Sequence, residues 1–197
     1  VQQTALVLGL AWSRKLLLIG LGEGATVFGM LTITAAHLHH THGLSLTLAG
    51  GTSALFGLGG MLFMATAKPT IARLGEVRMA ACGGAALVLS FACIASSPWW
   101  ALVVPACFFT GYGFAMFHNT MQVKATQMVP SARATGVTLF AGALFLGQSM
   151  GVLSLAVLMS YWPSAWVIAT GAVGMVLLGW RFAHCIVQRN AAQEDHA

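Results

Sequence analysis

The stretch LLLIGLGEGATVFGMLTITAA, residues 16–36, decides the fold, and Glu23 is its one charged residue. It has the length of about 20 apolar residues that a helix needs to cross the hydrocarbon core of a bilayer. No water is available inside that core, so a crossing segment must satisfy its own backbone hydrogen bonds, as a helix does. The stretch therefore predicts a membrane-spanning helix.

Five more apolar runs of similar length follow along the chain. Spans one to six are predicted at residues 16–36, 44–66, 79–97, 99–121, 135–159 and 164–183. Short segments of alternating polarity, which are typical of a membrane barrel, do not occur. The predicted fold is an all-α membrane protein, a six-transmembrane-helix bundle that forms a single domain over residues 1–197.

Composition supports a bilayer environment and excludes several functions. Hydrophobic residues make up 58% of the chain and charged residues only 7%, against roughly a quarter charged in an average soluble domain. The sequence contains no P-loop, no G-x-S-x-G and no H-E-x-x-H, so neither ATP hydrolysis nor a common hydrolase mechanism has the residues it needs. We expect neither an enzyme nor a cofactor.

The basic residues orient the predicted bundle. All nine lie at the chain ends or in connections of about a dozen residues on one side: Arg14, Lys15, Lys68, Arg73, Arg78, Lys124, Arg133, Arg181 and Arg189. The connections on the other side, residues 37–43, 96–100 and 160–164, contain no Lys or Arg. By the positive-inside rule the basic side is cytoplasmic, as are both termini. The net charge of +5 therefore indicates topology and no nucleic-acid partner.

The connection between spans two and three carries a family resemblance. Its sequence KPTIARLGEVR, residues 68–78, resembles the inter-helix signature G-x-x-x-D-R-x-G-R-R of the major facilitator superfamily. Arg73 and Gly75 fill the R-x-G core, and Arg78 supplies a nearby cation. Lys68 and Ala72 stand where the signature has Gly and Asp. The resemblance implies that Arg73, Gly75 and Arg78 belong to a cytoplasmic gating loop.

A second resemblance covers residues 118–152. The segment HNTMQVKATQMVPSARATGVTLFAGALFLGQSMGV is similar to the tenth and eleventh helices of drug and sugar efflux members of that superfamily. It implies the C-terminal six-helix half of a multi-pass transporter in a bacterial inner membrane. The partners implied are the lipid bilayer, a small-molecule substrate and a second six-helix half, and the mechanism implied is proton-coupled efflux by alternating access.

Glycines in span five predict close helix packing. Gly147 and Gly151 form a G-x-x-x-G pair, and Gly142 lies further toward the start of the same span. Small residues at this spacing let two helix backbones approach each other. We expect all three glycines at helix contacts.

Glu23 is the main candidate for function. A charge inside a bilayer costs on the order of 2.5 kcal/mol or more, so a membrane-embedded acid is a functional candidate by default. Glu23 lies about 12 Å along the helix from Lys15, at 1.5 Å per residue, which suits a cavity-facing position. It could couple protons to transport or meet a cationic substrate. The alternative is a neutral carboxyl that hydrogen-bonds a neighbouring helix for packing.

Two further groups of polar residues are candidates. His118, Asn119 and Gln122 lie near the basic end of span four, where they could line the transport pathway or sit at the membrane interface. The outer loop carries His37, His39, His40 and His42, which could bind a transition metal or form a polar loop tip. A metal-handling membrane protein and a non-transporting membrane scaffold are the alternative functions.

Overall fold

The described part of the chain is helical apart from short connections, as predicted. The computed structural model describes residues 2–194, with side chains for residues 2–189, and contains no strand in that range. Val1 and residues 195–197, which the predicted domain includes, lie outside the described residues. The α-helices are α1 (Gln2–Gly9), α2 (Ala11–Glu23), α3 (Gly29–His42), α4 (Leu46–Ser96), α5 (Trp100–Thr126), α6 (Arg133–Met159) and α7 (Ser164–Glu194).

Span one is longer than its sequence suggested. A π-helical turn, Gly24–Phe28, joins α2 to α3, so the span runs without interruption from Ala11 to His42. Residues 37–42, predicted as an outer loop, are its last helical turns. The helix stops only at Gly43, which adopts the left-handed conformation (φ 68°, ψ 18°) and donates its N–H to the His39 carbonyl. A glycine in this conformation is the usual end of a helix.

Spans two and three are the two arms of α4. The helix breaks at Gly75, whose backbone (φ 67°, ψ 177°) lies in a region open to glycine alone. Gly59 before the break and Gly83 after it both touch α5, at Phe108 and Gly113 respectively, so the second arm returns beside the first. The predicted connection of about a dozen residues is wrong, because the helix continues on both sides up to that single glycine.

The six spans pack around two central contacts. Span four (α5) lies against both arms of α4, and span one lies against span five (α6). A Cβ added at Gly147 would collide with the Leu21 carbonyl, and one at Gly151 with the Ala25 carbonyl. This close approach of two backbones is the arrangement that the G-x-x-x-G spacing favours. The packing role predicted for Gly142 is wrong, because no neighbour lies within 4 Å of a Cβ at that position.

Four basic or polar segments meet at one end of the bundle, which we call the basic end. The Arg189 guanidinium lies 4.5 Å from the centre of the Trp12 ring and donates to the Gln127 carbonyl at 3.2 Å. Lys124 Nζ lies 2.6 Å from Glu76 Oε2. These contacts join the segments before span one, between spans two and three, between spans four and five, and after span six.

Candidate functional site

An acid and a histidine from different helices meet inside the bundle. Glu23 Oε2 lies 2.9 Å from His118 Nδ1, and the Glu23 side chain is fully buried. Span one carries the acid and span four the imidazole. Each residue is a candidate from the sequence alone, but their pairing depends on the way the spans pack.

Close packing of span five buries Glu23. Gly20 leaves room for the Phe140 ring, and the surface of Gly24 touches the Leu144 carbonyl, so a Cβ at either glycine would collide. Both neighbours belong to span five. The glycines around Glu23 therefore bring a second backbone close to it, and this contact keeps water away from the carboxyl.

The π-helical turn, Gly24–Phe28, begins directly after Glu23. Such turns within α-helices are rare and frequently occur at functional sites. This one ends at Phe28, whose ring packs edge-on against the rings of Phe56 and Phe114 at centroid distances of 6.1 and 5.2 Å. The irregular turn thus links the acid to an aromatic cluster between spans one, two and four.

Aromatic rings hold the His118 imidazole in position. It stacks on Phe114 at 5.0 Å and 20°, and on Phe140 at 5.5 Å and 30°. Its Nδ1 bonds to Glu23, and 19% of the side chain is exposed. The ring is thus bonded to the buried acid through one nitrogen and partly open on its remaining surface.

That open surface lies on a cavity of about 530 Å³ between spans two and four. Its wall in span two is apolar, and its wall in span four carries apolar and polar side chains. The residues that line it are Phe56, Gly57, Gly60, Met61, Met64, Phe114, Ala115, His118, Asn119 and Gln122. The three polar residues singled out in span four thus line a single cavity.

Glu23 itself does not line this cavity. It was expected to face a cavity directly, but its side chain is fully buried and stands behind His118. Its Oε1 has no hydrogen-bond partner among the described residues. The imidazole touches both the acid, through Nδ1, and the cavity, and an imidazole can relay a proton between its two nitrogens.

The gating-loop residues surround the break in α4. Gly75 forms the break, and Arg73 and Arg78 are exposed on either side of it. Sequence reasoning missed Glu76, which binds the nearly buried Lys124. The signal was available, because Glu76 is the one acid in a connection otherwise rich in cations.

The four histidines at the opposite end are partly engaged by the protein. His37 Nδ1 lies 2.7 Å from Ser164 Oγ, and His39 Nδ1 lies 2.7 Å from the Leu44 carbonyl oxygen. His37 also packs against the His42 ring, and His39 against His40. Within residues 2–194, no three His, Cys, Asp or Glu side chains form a group that could hold a metal ion.

A second apolar groove, of about 450 Å³, lies between spans three and six. Its lining is aliphatic or glycine apart from the Trp180 indole. Such a surface has almost no hydrogen-bonding groups with which to distinguish one polar solute from another. We therefore place the candidate transport site at the His118 cavity.

Comparison with known families agrees with this architecture. The family model described as Major Facilitator Superfamily matches residues 16–195, nearly the whole chain. No curated protein matches the sequence significantly. In the part of the chain that the structure describes, five continuous helices are long and apolar enough to cross a membrane, and one of them has two arms. The chain therefore belongs to the Major Facilitator Superfamily, and it is a multi-pass membrane transporter of a small solute and not an enzyme.

Proposed function

We propose that the chain is the C-terminal half of a proton-coupled exporter in which the Glu23–His118 pair carries the coupling proton. The main support for this proposal is the 2.9 Å contact between a fully buried carboxyl and an imidazole that borders a cavity. A charged carboxylate without a partner is costly in so apolar a setting, whereas a carboxyl paired with imidazole keeps the site neutral in total. Protonation and deprotonation of the pair then change the net charge beside the cavity.

The geometry of the pair also suggests what the cavity binds. The pair is neutral in total in two states. In one, the protonated Glu23 carboxyl donates to Nδ1 of a neutral His118; in the other, Nδ1 of an imidazolium donates to the Glu23 carboxylate. His118 Nε2 carries a proton in both. The imidazole then offers an N–H toward the cavity, next to the Asn119 and Gln122 amides. The proposed substrate is an aromatic or apolar molecule that carries a hydrogen-bond acceptor. This favours proton coupling over direct contact between Glu23 and a cationic substrate.

Transport needs a second bundle, which supplies the other wall of the cavity. In this proposal the two bundles rock against each other, and the basic end opens and closes the inner side of the pathway. Support comes from the contacts of Lys124 with Glu76 and of Arg189 with Trp12, which tie several segments together at that end. The positive-inside rule places the basic end in the cytoplasm, so the membrane would be a bacterial inner membrane.

Infrared spectroscopy of the purified chain tests the proton carrier directly. We expect the C=O stretch of a protonated carboxyl to appear and disappear as the pH is varied, and to be absent from Glu23→Gln. The matched control Glu76→Gln removes a carboxyl from the basic end and should keep the band. Titrating C=O bands that are the same in the wild type and in Glu23→Gln would refute the assignment of the proton to Glu23.

Transport assays in membrane vesicles test the substrate class, with the second bundle present. A neutral aromatic amide such as chloramphenicol should be carried, whereas an aromatic cation of similar size such as ethidium should not. Carriage of the cation alone would contradict the proposed donor role of His118 Nε2. It would leave the proton assignment to be decided by the infrared titration.

A further inference from the structure

A pocket at the basic end is lined by two cations and an apolar floor. It measures about 190 Å³ and lies between spans one and six. Lys15 and Arg181 are its charged residues, and both are exposed. Leu18, Ile19, Leu178 and Cys185 complete the lining. The arrangement combines positive charge at the membrane surface with an apolar wall that faces the hydrocarbon.

Both acids whose side chains the structure describes are engaged elsewhere. Glu23 binds His118 inside the bundle, and Glu76 binds Lys124. The turn of span six that carries Glu194 lies about 20 Å further along the helix axis than Arg181, at 1.5 Å per residue. Two like charges that share one pocket repel each other, so an anion from outside the chain would stabilise them.

Other cations at the basic end have partners or stand apart. Arg14 donates to the carbonyls of Leu8 and Gly9, at 2.8 and 3.1 Å. Lys68 is exposed on the connection between spans two and three, and it is not part of the Lys15–Arg181 pocket. The pairing of Lys15 with Arg181 is therefore a specific feature and not a general property of the basic residues.

We propose that the Lys15–Arg181 pocket binds the phosphate of an anionic phospholipid whose acyl chain lies along Leu18 and Leu178. Basic pockets between membrane helices are suited to anionic headgroups. Leu18 is 67% exposed, and Leu178 fills the space beside Gly22 in span one, so an apolar surface continues from the phosphate position toward the bilayer. The pocket is separate from the transport cavity, because the two share no lining residue.

Native mass spectrometry of the 197-residue chain in detergent tests this site. The probes are dioleoyl phosphatidylglycerol and dioleoyl phosphatidylcholine at equal concentration, and we expect preferential retention of phosphatidylglycerol. Each Lys or Arg near a membrane surface strengthens the attraction roughly fivefold, so Lys15→Gln and Arg181→Gln should each weaken binding by about that factor. The double variant should show the preference largely lost.

Matched variants separate the pocket from general surface charge. Lys68→Gln removes the same charge from the same end and should leave phosphatidylglycerol binding unchanged. The charge-preserving double variant Lys15→Arg with Arg181→Lys should restore binding, which also excludes misfolding as the cause of the loss. Equal losses in Lys68→Gln and Lys15→Gln would overturn the proposal.

Inorganic phosphate distinguishes a lipid site from a simple anion site. Free phosphate at the same concentration should not displace phosphatidylglycerol, because it lacks an acyl chain to contact Leu18 and Leu178. Displacement at equal concentration would show a site for phosphate alone and would refute the lipid proposal. Equal retention of the two lipids would refute it as well.

Discussion

Among residues 2–189, two pairs of an acid and a base connect different spans, and the surroundings of the two pairs differ. Glu23 and His118 meet in the interior, where the acid is fully buried and close glycine contacts exclude water. Glu76 and Lys124 meet at the basic end, where the acid side chain is 41% exposed. The first pair joins a carboxyl to an imidazole, and the second joins a carboxyl to an ammonium group. In the proposed function the first pair transfers a proton, and the second holds two segments together.

The largest expected effect comes from removal of the imidazole in the interior pair. His118→Gln keeps an amide next to Glu23 but cannot take up a proton, so accumulation of substrate against its gradient should be abolished. Transport in vesicles with an imposed pH gradient measures this. Asn119→Ala lines the same cavity without a titrating group and should lower apparent affinity while it retains coupling. If both variants behave alike, the imidazole has no special role.

A substitution elsewhere can expose the interior pair while Glu23 and His118 stay unchanged. Gly147→Leu would force span five away from the Leu21 carbonyl and open the region around Glu23. We expect a loss of about 1–3 kcal/mol in stability, the usual cost of overpacking, or more if the backbone cannot shift. Thermal unfolding in detergent measures it. The control Gly142→Leu meets no neighbour within 4 Å and should change stability by less than about 0.5 kcal/mol.

The break in α4, next to the Glu76–Lys124 pair, depends on the backbone conformation of Gly75. Gly75→Ala places a Cβ on a backbone with φ 67° and ψ 177°, which should cost about 1–3 kcal/mol. The same unfolding measurement applies. Gly50→Ala lies in the helical part of the same element and has open space around it, so it should be neutral or stabilising. A neutral Gly75→Ala would mean that the arms of α4 can be joined in another way.

The smallest effect is expected at the exposed pair. Glu76→Gln should cost about 0.2–1 kcal/mol, the range of ion pairs near water. It should cost more than Lys124→Gln, because it leaves the nearly buried Lys124 charge without a partner. The charge reversal Glu76→Lys with Lys124→Glu should recover most of the loss. Failure of the reversal would indicate that the pair depends on shape and not on charge.

The sequence predicted the spans themselves better than the places where they end. The apolar runs and the one-sided distribution of basic residues gave the helical class and the approximate spans. The connection around Gly75 and the histidine segment were expected to be loops and are helical. Their polarity suggested loops, but the end of a helix depends on the backbone conformation of single glycines, Gly43 and Gly75.

The sequence predicted the residues of the candidate site but not their contact. Glu23 was recognisable because an acid in an apolar run is rare, and His118 because it is polar near the end of a span. Their contact was not recognisable, since the two residues lie far apart in the chain and meet only through the packing of spans one, four and five. The role of Glu76 depends in the same way on the position of Lys124.

The sequence by itself determined that the chain crosses a membrane and which residues are costly to bury, because hydropathy and charge act on each segment separately. Only the tertiary structure decided that Glu23 stands behind His118, that Gly147 and not Gly142 carries a helix contact, and that Lys15 shares a pocket with Arg181. These features depend on the distance between atoms of different helices. That distance follows from the packing of the whole bundle.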